Sequence, residues 1–531
     1  MTPALRVLVL LAALVGGGAV SSNAQADELA RARECLEEAR YQDAYDLLKP
    51  GFDGGDRAAA RLRLLGRAAM GLARPAEAVA CFGSLAADPE ATAEDLAQLA
   101  WAHHEHGAVL AEAGEPARSA FLAAAQAARH AVALDATSLT AWRFLGAALE
   151  GAGNPEGAER AYRDGIEAVG ESGRPLRFAL AALLAGRGET EASLAALAPL
   201  AARGEEEDAE VALLRARIWA GAGRMDRAAE ILSGLLGRAP DCTEAYGVLW
   251  SLFSGPEYRA AGVAVLEAVL ERDPAALTAW GYLGNFHRLA LNLDAAERAY
   301  RKCLEIRPDY AWAHRALGEL FQARADLARD PLDRPALRDH LTRAVGAFLD
   351  YLDHAATQGT EDPTALPIID WLIYDLARTG LDPGAAYAAS VRLLQHHPES
   401  AAVHHTLGLI AQDLGRFEEA EAALRKSLAG CPADNAPLRA SYLVNLGLFY
   451  EAWNKYPQAR EQYESAARLS GKGRLDALEN LGKLAYKLGN PTKALEHFKA
   501  VLDEEPDRPE SLFYYHYCRR WIQRETYFRR R

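Results

Sequence analysis

Cysteines in ligand or redox spacing are missing from this chain: Cys35, Cys81, Cys242, Cys303, Cys431 and Cys518 are scattered, with no CxxC. That removes zinc-ribbon and thioredoxin-like readings, and most of these thiols are expected as small core residues without a disulfide. A surplus of positive charge is missing too. Acids outnumber Lys and Arg 73 to 59, for a net charge of −14, and no lysine stands between Lys49 and Lys302, which argues against nucleic acid as the main partner. Aromatic residues reach only 8%, and no run alternates in the manner of a half-buried strand, so no sheet is expected. Signatures of catalysis fail one by one. Gly151-Ala152-Gly153 and Gly157 follow no strand, Arg174 stands where a nucleophile elbow built on Ser172 needs glycine, and Gly471-Lys472 runs on into Gly473 instead of Ser or Thr. Catalysis, a cofactor and a bound metal are therefore not expected.

Long apolar runs are absent but for one. Arg6 precedes Val7 to Val15, then come Gly16-Gly17-Gly18 and Ala24-Gln25-Ala26, the small-x-small pattern of a secretory cleavage site. Val7 to Val20 falls short of the roughly 20 residues a spanning helix needs. Residues 1–26 are thus read as a signal peptide and the chain as exported, periplasmic or secreted, with an uncleaved N-terminal anchor as the alternative. Membrane contact is then confined to residues 1–20, if they are retained, or to the arginine-rich C-terminus.

What the chain does contain is repetition. Leu283-Gly284 and Leu317-Gly318 lie one 34-residue stride apart, and Leu-Gly recurs at 65, 145, 407, 446 and 481. After every Leu-Gly but the one at 317, an Ala follows twelve residues past the Gly and an aromatic or Leu four later: Ala78/Phe82, Ala158/Tyr162, Ala296/Tyr300, Ala420/Leu424, Ala459/Tyr463 and Ala494/Phe498. Pro240, Pro274 and Pro308 close successive units. In the unit from Ala279 to Pro308, Trp280, Leu283, Gly284 and His287 form the stripe of one amphipathic helix and Ala296, Tyr300 and Cys303 that of a second. Small Gly284 and Ala296 are expected to let the two backbones close, with Trp280 and Tyr300 filling the flanks. Gly153-Asn154-Pro155 and Gly489-Asn490-Pro491 supply a left-handed stop and a proline start between paired helices. Such a hairpin cannot bury both apolar faces alone, so units must stack into a solenoid.

This pattern of Trp, Leu-Gly, Ala, aromatic and Pro resembles the tetratricopeptide repeat family, over about thirteen units between residues 27 and 508. The resemblance implies an all-α fold, a right-handed superhelical solenoid of stacked antiparallel helix pairs. It also implies binding of proteins or peptides in a concave groove, lined by positions 2, 5, 9 and 12 of each first helix. On this chain those positions supply Arg143, Asn285, Arg288, Trp312, Arg315, Glu319, His405, Gln412, Lys483 and Tyr486 as candidate contacts. Trp312 and Arg315 have the strongest anchor character. The expected role is an exported, non-catalytic scaffold or adaptor; the alternatives are a module for an extended envelope polymer such as polysaccharide, or a regulatory subunit of an enzyme.

The register slips near Trp101 to Arg129, where the first helix is expected to be long or broken, at an insert from Gln322 to Arg343, and at Cys431 to Leu438, a lengthened turn between units. Inserts of this kind are expected as surface loops. A polar stretch from Thr357 to Pro363 sets the expected limit between solenoid segments 27–358 and 364–508, with a basic capping helix over 509–531 whose apolar positions include Leu512, Phe513, Tyr515, His516 and Ile522. Histidines cluster at His103, His104 and His106, and at His396-His397 and His404-His405. No metal is assigned to them, because His404 takes the core position of Trp280, and His396 and His397 end a helix where imidazole suits the dipole.

Overall fold

The computed structural model describes residues 26–55, 57–201, 208–330, 333–378, 380–469 and 471–529. The expected signal segment lies outside them, apart from Ala26. Among the described residues every regular element is helical, and no helix is long and apolar enough to cross a membrane. The chain divides into two compact units, one ending at Leu235 and the other starting at Leu236. Within each, consecutive helices pack in pairs and first helices also touch one another, as Ala93–Glu112 does Leu139–Gly151, and Ala436–Ala452 does Lys472–Lys487. The stacked hairpin architecture expected from the stride is therefore present.

One device recurs in every well-formed pair. A side-chain carbon added at Gly66, Gly146, Gly284, Gly408, Gly447 or Gly482 would stand under 3.0 Å from Phe82, Tyr162, Tyr300, Leu424, Tyr463 or Phe498 respectively, always sixteen residues further on. The glycine is thus a socket and the second-helix ring its plug. This revises the expectation for Tyr300, whose ring lies on Gly284 instead of on the flank.

A second device joins each pair to the turn before it. Trp142, Tyr246, Trp280, His314 and His404 each reach back six residues to a backbone carbonyl, at Ala136, Pro240, Pro274, Pro308 and Pro398, over 2.8 to 2.9 Å. A carbonyl only accepts, so Nε2 of His314 and of His404 carries the proton. His404 is accordingly a structural donor, as its place in the stripe implied. His396 pairs with Asp353 at 2.7 Å, and His104 packs against Phe121 and Phe144. All six cysteines are free thiols and five are buried. Burial pushes the Cys81 thiol up to about 11 and that of Cys303 up to about 12, which keeps both protonated and inert.

Turn chemistry follows the sequence in part. Gly153 and Gly489 both take φ of 76°, and the carboxamide oxygens of Asn154 and Asn490 accept from the N–H groups of Gly157 and Lys493. In the hairpin after Leu277–Leu289 the left-handed position falls to Leu291, an exposed β-carbon residue at φ 57°.

The insert at Gln322 to Arg343 is not the expected surface loop. Ala311–Leu327 and Arg334–Gln358 are long helices that absorb most of it, and Gly318 receives Phe348, thirty residues on instead of sixteen. Glu297, on Leu293–Ile306, binds this lengthened hairpin through Arg324 at 2.6 Å and through Arg343. At the slip near Trp101, of the two readings, a long or a broken first helix, the long one holds: Ala93–Glu112 is unbroken. The polar turn at 359–364 lies within the second unit, and one apolar cluster spans it from Leu352 and Ala355 to Ala365 and Ile369.

Candidate functional site

Applying the 2, 5, 9, 12 rule to the helix Ala59–Gly71 selects Ala60, Arg63, Arg67 and Met70. All four line a groove of about 930 Å³ in the first unit, bounded also by the helix 26–37 and by Ala93–Glu112. Leu36, Tyr41, Met70, Phe82 and Trp101 give it apolar surface. Gly71 is required there, because the Tyr41 ring lies where a side chain would start. Trp101 is fixed from behind by stacking on Phe144, with ring centroids 6.3 Å apart.

Charge in the groove is unequally spoken for. Arg63 donates from Nε and Nη2 to the two carboxylate oxygens of Asp95, both at 2.7 Å. Thr92, capping the same helix, donates to Asp95 as well. These donors, Arg63 foremost, hold the buried Asp95 carboxyl down to about 2. Arg33 and Arg67 differ: both are exposed, both line the groove, and neither has an ion-pair partner among the described residues. Gln98 donates to Glu94 at 2.6 Å, while its buried Oε1 has no donor. The groove thus offers two guanidinium groups outside any ion pair, beside an apolar floor and the exposed carboxylate of Glu94.

Asp95 makes the first unit acid-sensitive. Its carboxyl titrates lower in the folded chain than in the unfolded one, so its contribution is complete above about pH 4 and is lost as pH falls through about 2. The expected loss is about 2 kcal/mol across that window. Thermal melts of the Asp95→Asn variant should show the loss already at neutral pH and no further step there; a wild-type step that persists in the variant would assign it elsewhere.

In the second unit, five of the sequence-derived contacts come together on Leu277–Leu289 and Ala311–Leu327. Trp312 is 37% exposed, lies over Gly281 and meets Tyr300 edge to face with centroids 5.8 Å apart. Their charges are self-neutralised. Arg288 faces Glu319 at 3.8 Å, Arg315 faces Glu319 at 3.3 Å and also Asp362, and Asn285 accepts from the Tyr300 hydroxyl at 2.8 Å. Lys483 is held by Glu479 at 2.9 Å and by Glu510, and Tyr486 packs among Tyr514, Tyr517 and Trp521. His405 stacks on Tyr442 and accepts from Asn445, and burial pulls its imidazole down to about 4. Gln412 is half-buried. Arg143, in the first unit, is exposed beside the Phe144 ring.

Arg33, Arg67 and Trp101 were not among the sequence-derived contacts. The signal for Arg67 was present, since Leu65-Gly66 fixes its register; Arg33 and Trp101 stand on helices without a Leu-Gly marker.

Comparison with known proteins agrees with the helix pairs. Tetratricopeptide repeat models match residues 399–472 and, separately, residues 178–241, 259–311 and 444–509. No curated protein matches the chain. Among solved structures, the Cut9–Hcn1 hetero-tetramer of the APC/C is similar at 12% identity over 92% of this chain and 95% of that one, with a TM-score of 0.27. Pseudomonas aeruginosa pilF is 22% identical over 46% and 98%, with a TM-score of 0.27, and MamA 18% identical over 43% and 96%, with a TM-score of 0.24. Those scores carry no weight on classification; the sequence models place tetratricopeptide repeats at residues 178–241, 259–311 and 399–509, in keeping with the socketed hairpins.

Proposed function

We propose that this chain is an exported, non-catalytic scaffold that holds an extended segment of a partner protein in the groove of its first unit. The single observation that carries the choice of site is the pair of arginines outside any ion pair, Arg33 and Arg67, in a groove of about 930 Å³ with an aromatic and aliphatic floor. In a chain with net charge −14, cations left outside ion pairs suit a ligand that brings its own carboxylates. The groove cations of the second unit, Arg288, Arg315 and Lys483, are already matched and have less to offer an acidic segment. Export rests on Arg6, the apolar run behind it and Ala24-Gln25-Ala26.

Cross-linking and pull-down from the native compartment test the reading. Arg33→Glu/Arg67→Glu should cut recovery of the specific partner by at least about tenfold, in line with the loss of one charge-assisted contact per arginine. Trp312→Ala/Arg315→Ala should leave that partner bound. Equal recovery with both double variants would sink the assignment to the first unit.

A further inference from the structure

The helix Pro509–Arg529 has two faces with different chemistry. Ser511, Tyr514 and Cys518 point inward: Ser511 is buried and donates to Glu479 at 2.8 Å, Tyr514 stacks on Phe498 with centroids 5.3 Å apart, and Cys518 is fully buried. This face packs on the helices Pro491–Leu502 and Lys472–Lys487. The outward face departs from expectation. Phe513 is not a core position but 64% exposed, and Tyr517, one turn on, is 49% exposed, with the two rings 6.3 Å apart. Arg520 and Arg524 continue the same stripe at the following turns, with Arg519 beside it. All three guanidinium groups are exposed and have no ion-pair partner among the described residues. Between residues 508 and 531 seven arginines face two glutamates, in a chain whose net charge is −14.

We propose that this face docks on an anionic phospholipid surface. A ring pair followed by arginines on one exposed helical stripe is the composition that rests at the headgroup level, the rings at the edge of the acyl region and the guanidinium groups on phosphate. Charge complementarity confines the contact to this helix, because the acidic remainder of the chain is repelled by the same lipids. A protein partner of matching affinity would require a shaped, desolvated site around Phe513 and Tyr517. The lipid surface requires only the stripe. The docking is independent of what the first-unit groove binds.

Sedimentation with extruded vesicles tests it on the full chain. The quantity read is the partition to vesicles of equal parts phosphatidylcholine and phosphatidylglycerol relative to vesicles of phosphatidylcholine alone, so that any salt-insensitive insertion by residues 1–20 cancels. The ratio should be about 100-fold at low salt, from about fivefold per arginine, and should collapse at about 1 M salt, where charges are screened within about 3 Å. Arg519→Glu/Arg520→Glu/Arg524→Glu should bring the ratio to unity, whereas Phe513→Ser/Tyr517→Ser should lower the partition to the anionic vesicles itself about tenfold and leave the ratio near its wild-type value. The three arginines are exposed and their replacement leaves the inward face untouched, so circular dichroism should show unchanged helicity; Tyr517 also meets the Tyr486 ring, so the ring variant is compared at matched helicity. A wild-type ratio of unity overturns the proposal, as does an unchanged ratio in the arginine variant. So does binding of a polyglutamate peptide through the same arginines without vesicle binding.

Discussion

Replacing Gly284 by alanine should destabilise the second unit by about 2 kcal/mol, and by valine about 3 kcal/mol or more, although helix propensity alone predicts a gain of up to about 1 kcal/mol for the alanine. The signs conflict because Gly284 sits inside a helix and against the Tyr300 ring, which occupies the place of the missing side chain. Tyr300 is itself fully buried, with its hydroxyl tied to Asn285, so it has no room to retreat. Gly247 is the matched control. It lies in the helix Thr243–Phe253 of the same unit with nothing near its vacant side, so Gly247→Ala should stabilise by about 0.5 to 1 kcal/mol. The measurement is hydrogen exchange across Leu277–Leu289 and Leu293–Ile306 alongside urea denaturation, because repeat arrays open locally. Equal stability of the two alanine variants would refute the socket.

Glu297→Ala should cost about 3 kcal/mol and loosen the long hairpin before any other part of the second unit. The Glu297 side chain is 13% exposed and accepts from Arg324, Arg343 and, within its own helix, Arg301. Removing it leaves Arg324, itself only 12% exposed, with the solvent-facing Asp294 as its remaining partner. An ordinary surface pair contributes at most about 1 kcal/mol and fades with salt. This one should resist salt, because its partners are largely withdrawn from water. Glu297→Gln, which keeps the shape and some hydrogen bonds, should cost about half as much. Protection of the amides in Arg334–Gln358 is the readout; a loss under about 1 kcal/mol, or one abolished by salt, would place the cluster among decorative surface pairs.

The stride was legible because its two ends are chemically extreme. A glycine and a ring sixteen residues apart cannot be exchanged for average residues without a clash or a void, so Leu65-Gly66 with Phe82 and Leu446-Gly447 with Tyr463 announce themselves. The donor role of His404 was half legible: its register was clear, but only the 2.8 Å approach to the Pro398 carbonyl explains why a histidine serves where a tryptophan does elsewhere. The insert was misread because Asp330-Pro331 and Arg334-Pro335 look like loop punctuation, whereas Pro335 opens the helix Arg334–Gln358 at a position where proline needs no N–H partner. Groove contacts were least legible. Which arginine is free depends on partners such as Asp95 for Arg63 and Asp362 for Arg315, 32 and 47 residues away, and no local pattern encodes those pairings.

The sixteen-residue interval has a further consequence. Socket and plug always belong to the same hairpin, so each hairpin closes on itself before it meets a neighbour. Gain or loss of a whole 34-residue step then leaves every remaining lock intact, while an insertion inside a hairpin must be accommodated by finding a new ring, as Gly318 has done with Phe348. Growth by duplication of whole hairpins is therefore the change this architecture absorbs with the least repair.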